Sequence, residues 1–320
     1  MRRFGCCVVL VVAAALVGSA CRRPAAKAPV LVLRLATGAP GGGFYPLGER
    51  LADAFAGALP NMRVEVHTSG GAVSNVEAIQ RGEADVGLTF ADVAYVAFVG
   101  QLDGSAKPFD RLRGMAALEL TPVHLVVSGR SAIASVRDLR GRRVGVGPPG
   151  SGTALTAGLV LQAFGIGAAE VHTEALPFNE AERRLEAGAL DAMFDNAIYP
   201  AASVANATRL GARLISITGP AVDTLRRAYP FFRLAFIPPD TYRRSPETIH
   251  TIGVESLLVC RSNLDEAVVY ELTKRFFEAL PSLSSSQDAL RLIDLEQAPA
   301  TPIPLHEGAA RYYRERELLR

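Results

Sequence analysis

The chain of 320 residues has no tryptophan, which removes one common residue for stacking against sugar rings. Histidine is scarce. His67, His124, His172, His250 and His306 show no metal-ligand spacing, so each is expected to be structural or on the surface, and no metal or other cofactor is implied. There is no Gly-x-Ser-x-Gly elbow, no His-Glu-x-x-His and no clustered pair of catalytic carboxylates, which favours a protein that is not an enzyme. The formal net charge is only +2. No basic block is interleaved with aromatics, so nucleic-acid binding has no electrostatic footprint.

Cysteine is sparse as well: Cys6, Cys7, Cys21 and Cys260. The first two lie in a basic start (Met1-Arg2-Arg3) followed by an apolar run, 6–17, too short to span a bilayer comfortably. Gly18-Ser19-Ala20 is a small-residue cleavage site, so residues 1–20 read as a secretory signal. Cys21 follows at once, and the segment resembles a bacterial lipoprotein signal in which that cysteine carries the lipid. Gly18 stands where such signals usually have Leu or Val, so plain cleavage after Ala20 is the alternative. Residues 21–29 then form a short tether. Cys260, in an apolar strand, reads as a buried inert thiol, and no disulfide framework is expected. No second apolar run is long enough to cross a membrane. The mature chain is therefore expected to be periplasmic or otherwise extracytoplasmic, attached to a membrane through its N-terminal lipid.

What is abundant is glycine, concentrated in turns between strands and helices. The clearest case is Arg142-Arg143-Val144-Gly145-Val146-Gly147-Pro148-Pro149-Gly150-Ser151-Gly152-Thr153, read as a short buried strand, a glycine-rich turn and the start of a helix. The first N–H groups of a helix have no intrahelical acceptor and carry the positive end of its dipole, which makes an anion site. A Walker loop would need a lysine after Gly152, and Thr153 is there instead. Residues 145–150 fit Gly-x-Gly-x-x-Gly, with Glu170 and Glu174 roughly where a ribose-binding acid would fall. The paired prolines remove two backbone donors that a pyrophosphate would use, so an exported NAD-dependent oxidoreductase is the distant alternative.

The same pattern recurs earlier. Residues 30–36 read as a strand, 37–43 as a glycine-rich loop and 44–59 as a helix whose Leu47, Leu51, Phe55 and Leu59 share a face. Residues 62–67, 72–81, 85–89 and 92–99 continue the alternation, which implies a parallel sheet flanked by helices. Residues 112–118 and 123–128 read as two strands separated by 119–122, and 248–260 as a long extended segment leading back. The roughly 290 residues left after the leader are enough for two domains. The expected architecture is α/β: a two-lobed periplasmic-binding-protein fold, each lobe a mostly parallel sheet flanked by helices, with a two-strand hinge. Lobe I comprises 30–120 and 253–320, and lobe II 121–252. Ligands in such sheets sit beyond the carboxyl ends of the strands, where the loops near Gly41, Gly70 and Gly150 fall.

From about residue 33 to 316 the chain resembles the TAXI-type solute receptors of TRAP transporters. The resemblance rests on Thr37-Gly38 with Gly41-Gly42 and Tyr45-Pro46-Leu47-Gly48; on Ser69-Gly70-Gly71 with Asn75, then Gly82-Glu83-Ala84-Asp85 and Asp92-Val93-Ala94-Tyr95; on 144–153; and on 302–306 with Gly308-Ala309-Ala310 and Tyr312-Tyr313. It implies an extracytoplasmic receptor that captures a small organic anion, a carboxylate or a glutamate-like amino acid, and hands it to TRAP permease subunits. A sensory or scavenging lipoprotein without a permease is the alternative. Gly43-Phe44 stand where the family usually has Thr-Tyr, and Phe90-Ala91 where Gln-Ser is common, so polar donors are lost. Asp195-Asn196 replace small apolar residues, and an added carboxylate favours an amine on the ligand. Ser151, Gly152 and Thr153 are assigned to the carboxylate, or else to an ordinary N-cap. Gly42, Gly43 and Tyr45 are expected to line the site, unless Tyr45 only packs. Gly71, Ala72 and Asn75 follow, Asn75 alternatively bracing a turn. Asp92 either touches ligand or caps its helix. Asp195 and Tyr199 complete the set, Asp195 alternatively pairing with an arginine.

Overall fold

The structure, a computed structural model, describes residues 30–39, 42–102, 106–284 and 293–319. The signal segment 1–20, Cys21 and the rest of the tether lie outside the described residues, as does Gly41. Strand β1 (Leu31–Ala36) leads through helix α1 (Phe44–Ala56) to β2 (Met62–His67). Helix α2 (Ala72–Arg81) then leads to β3 (Val86–Phe90), which runs straight into α3 (Ala91–Phe98). β2, β1 and β3 are parallel neighbours. The expected spacing holds in α1, where Leu47, Leu51 and Phe55 are all buried.

The second half repeats the scheme. β5 (Arg143–Gly145), α4 (Gly152–Ala163), β6 (His172–Glu174), α5 (Phe178–Glu186) and β7 (Ala192–Asn196) follow one another, and β5 pairs in parallel with both β6 and β7. α6 (Ala202–Arg209), β8 (Arg213–Ile215), α7 (Pro220–Ala228) and β9 (Arg233–Ile237) come next, and α8 (Glu266–Ser284) and α9 (Glu307–Arg314) close the chain. Among the described residues no helix is long and apolar enough to cross a membrane.

Two long antiparallel strands, β4 (Leu112–Val127) and β10 (Ile249–Arg261), hold the halves together in the order β2-β1-β3-β10-β4-β7-β5-β6. The fold is thus α/β and two-lobed. The break expected at residues 119–122 is absent: β4 is one strand of 16 residues. Leu120, Thr121 and Pro122 stay in register with Glu255, Val254 and Gly253 of β10, so the proline does not end it. The proposed lobe boundaries fall inside these two strands.

One core, with residues such as Val76, Val93, Leu125, Val144 and Val160, runs through both halves on one side of the sheet. On the other side each half has its own core, against α1, α8 and α9 in the first and α5 and α6 in the second. An arginine–aspartate pair recurs in each half. Asp85, just before β3, accepts from the backbone N–H and guanidinium of Arg34 and lies 2.7 Å from Arg261. Asp191, just before β7, accepts from the N–H and guanidinium of Arg143 in the same way. Cys260 is free and buried in β10, and burial pushes its thiol pKa up.

Candidate functional site

The loops that follow β1, β2, β5, β6 and β7 meet at one cavity of about 300 Å³. Each delivers the start of a helix to its wall: Gly43 and Phe44 of α1, Gly71 and Ala72 of α2, Gly152 and Thr153 of α4, Phe178 and Asn179 of α5, Ala202 and Ser203 of α6. Helix N-termini carry unpaired N–H groups and a partial positive charge. Five of them surround one cavity, and among the described residues neither lysine nor arginine lines it. Phe44, Leu47, Phe90, Phe178 and Ile198 supply apolar surface.

Not every first-turn amide is left for a ligand. At α4 the N-cap hydroxyl of Ser151 accepts from Ala154 N at 3.3 Å, and Ser151 N donates to Pro148 O. The N–H groups of Gly152 and Thr153 remain. At α2 the N–H groups of Val73 and Ser74 both donate to the carbonyl of Gly150 at 3.1 Å. One half of the molecule therefore caps a helix of the other, at the cavity's edge. The contact demands glycine. Gly150 has φ +73°, and a Cβ there would lie 2.1 Å from Ser74 Oγ; a Cβ on Gly152 would lie 2.3 Å from the Phe90 ring. Glycine alone permits that φ and that approach without strain.

Of the expected site residues, Gly42, Gly43, Gly71, Ala72, Ser151, Gly152 and Thr153 are brought together on the cavity wall. Tyr45, Asn75, Asp92, Asp195 and Tyr199 are not among its lining residues. Tyr45 donates its hydroxyl to Glu49 one helical turn on, at 2.8 Å. Asn75 donates to the carbonyls of Thr37 and Leu88 at 2.7 Å and so ties the loop after β1 to β3. Tyr199 packs against the core under α5 and α6. Asp92 is fully buried in the first turn of α3, where Thr156 of α4 donates to it at 2.6 Å; burial raises its pKa to about 6. Asp195 accepts from Ser203 at the head of α6, and no arginine among the described residues pairs with it; burial, with Glu182 adding to it, raises its pKa to about 7.

Sequence reasoning missed two acidic side chains and an amide's role. Glu119 projects from the middle of β4 into the cavity, 2% exposed, with its pKa raised by burial to about 7. Ser256 of β10, which also lines the cavity, opposes that rise, and Thr121 lies 2.9 Å from Ser256, while Oε2 has no partner among the described residues. Glu182 of α5 also lines the cavity, and burial raises its pKa too. Asn196 donates through Nδ2 to Thr156 at 2.7 Å, and its backbone N–H donates to Thr153 Oγ1 at 3.3 Å. Its Oδ1 is left without a partner. A signal for Glu119 existed: it is the one charged residue in the mostly apolar stretch 114–127.

Behind the wall, His124 completes a buried relay. Its Nδ1 is 3.3 Å from the Asp195 carbonyl and its Nε2 3.0 Å from the Tyr242 hydroxyl, which accepts from Ala201 N. A carbonyl can only accept, so Nδ1 carries the proton and Tyr242 donates to Nε2. Burial lowers the pKa of this imidazole to about 4, so it is neutral and fixes the start of α6. Among the described residues no group of three or more His, Cys, Asp or Glu is placed to hold a metal.

A family model described as NMT1-like matches residues 35–316. The chain belongs to the NMT1-like family. Solved structures give the fold of this NMT1-like protein a second footing. The periplasmic binding protein BugD superposes with a TM-score of 0.58 at 15% identity, over 90% of this chain and 95% of that one. MatC from Rhodopseudomonas palustris, solved with bound malate, gives 0.57 at 15% over 91% and 100%. The alkanesulfonate-binding protein SsuA from Xanthomonas axonopodis pv. citri, bound to MOPS, gives 0.51 at 16% over 92% and 96%. At these identities the likeness is one of fold.

Proposed function

We propose that this protein is an extracytoplasmic solute-binding receptor, not an enzyme, that captures a small organic acid in the cavity and delivers it to the membrane permease of a TRAP-type transporter. The observation that carries the reading is the convergence of five helix N-termini on one cavity, with no basic side chain among the described residues of its wall. Backbone amides grip an acid there without the strong point charge of a lysine, and the ligand dissociates again for delivery. The solved structures of like fold include one with malate and one with MOPS, both acids of small size. The TAXI-like blocks point to a TRAP permease as partner, and a lipid on Cys21 would keep the receptor beside it.

Thermal-shift screening of carboxylic acids, amino acids and NAD tests this. One small acid raises the melting midpoint with concentration, because a ligand that binds only the folded state stabilises it, and is recovered unchanged. Stabilisation by NAD alone, or consumption of the acid, contradicts it. A TRAP permease gene beside the receptor gene supports the delivery role, and its absence favours a sensor or scavenger.

A further inference from the structure

We propose that the cavity has a second, donor-seeking pole centred on Glu119, so that the ligand is an acid that also carries a protonated amine. The inference rests on the receptor reading above and narrows its substrate class.

Glu119 Oε2 and Asn196 Oδ1 are buried oxygens without a partner among the described residues, and both residues line the cavity. The other partnerless buried side-chain atoms belong to Arg226, Ser245, Arg261 and Arg275, none of which lines it. Burying an acceptor without a donor is costly, and burying a carboxylate without a cation costs more.

The surrounding contacts hold these oxygens where they are. Glu119 is 2% exposed and shares its stretch of wall with Thr121 and Ser256, which are hydrogen-bonded to each other. Thr156 gives its proton to Asp92 and so must accept from Asn196 Nδ2, which orients the amide and leaves Oδ1 for another donor. Among the described residues no lysine or arginine lines the cavity, and Glu182 adds a further acid to the same wall. The two poles therefore ask for opposite things. The helix starts at Gly152 and Thr153 ask for an acceptor, and Glu119 asks for a charged donor. A dicarboxylate satisfies the first and is repelled at the second. An amine-bearing acid satisfies both, and Phe44, Phe90 and Ile198 suit an apolar carbon skeleton.

Calorimetric titration with matched pairs tests this: leucine against 4-methyl-2-oxopentanoate, and 5-aminopentanoate against pentanoate, with glutarate as the dicarboxylate. In at least one pair the amine-bearing member binds the parent protein on the order of tenfold tighter than its amine-free partner, and Glu119→Gln removes that preference. A cooperative melting transition of unliganded Glu119→Gln, at a midpoint no lower than the parent's, shows that the variant is folded, and the parent's preference is informative without it. No amine preference in either pair, or glutarate binding tighter than both amine-bearing acids, overturns the second pole while leaving an acid receptor intact. So does an amine preference that survives Glu119→Gln. If no acid of any kind binds, the receptor reading itself fails.

Discussion

At the scale of single residues, the cavity wall combines the backbone of five helix starts with a few polar side chains. Thr153 combines the two: its N–H lies in the first turn of α4 and its hydroxyl receives the backbone N–H of Asn196. Thr153→Val keeps the shape and removes the hydroxyl. Binding of the cognate acid should weaken by about 1–3 kcal/mol, because a buried polar group is left short of a partner. Calorimetry checks it, and unchanged affinity would mean that the Thr153 hydroxyl plays no part in holding the acid. Asp195 illustrates the limit of residue-level reasoning. Its charge was legible as an addition to the cleft, but Ser203 at the head of α6 intercepts it. Glu119 went unread because a proline three residues on made 119–122 look like a loop, whereas pairing with β10 carries the strand through.

At the scale of elements, most of the fold was legible. Strand–glycine turn–helix is a local pattern written in apolar periodicity and in residues that permit unusual backbone angles. It placed α1, α2 and α4 and the three glycine loops. Pairing across the hinge was less legible, because the register between β4 and β10 depends on contacts more than a hundred residues apart in sequence. The recurring Arg–Asp pairs make a prediction at this scale. Burial alone would raise Asp85, but its hydrogen bonds and charge contact with Arg34, with Arg261 adding to them, hold its pKa low. Its side chain is 5% exposed, against 24% for Asp191. Asp85→Ala should cost more, about 1–3 kcal/mol, by stranding two partly buried guanidinium groups and a backbone N–H. Asp191→Ala should cost about 1 kcal/mol or less, since its partner is half in water. Urea unfolding of both variants gives the order, and equal costs would show that burial does not set the difference.

At the scale of the whole molecule, the buried carboxyls tie stability to pH. Burial raises Asp92 to about 6, and Glu119 and Asp195 to about 7. Each binds its proton more tightly folded than unfolded, so stability falls as pH rises while the unfolded chain has already ionised. The unliganded protein should be most stable with these groups protonated and lose stability between about pH 4 and pH 7. Their contribution is gone above the folded pKa values. Asp85 acts in the opposite sense: its lowered pKa supplies stability that is lost as pH falls below the ordinary carboxylate range. Melting midpoints across pH should therefore fall between about 5 and 7 in the parent and fall less in Asp195→Asn. A curve that rises through that interval would contradict the buried, unpaired state of these acids.

The central claim is that backbone amides at the start of α4 grip the acidic group of a small solute. The most direct measurement is a crystal structure of the protein with the acid that most raises its melting midpoint. The acidic oxygens should lie about 3 Å from the N–H groups of Gly152 and Thr153. An acid bound outside this cavity, or bound within it with its acidic group away from those amides, would contradict the claim.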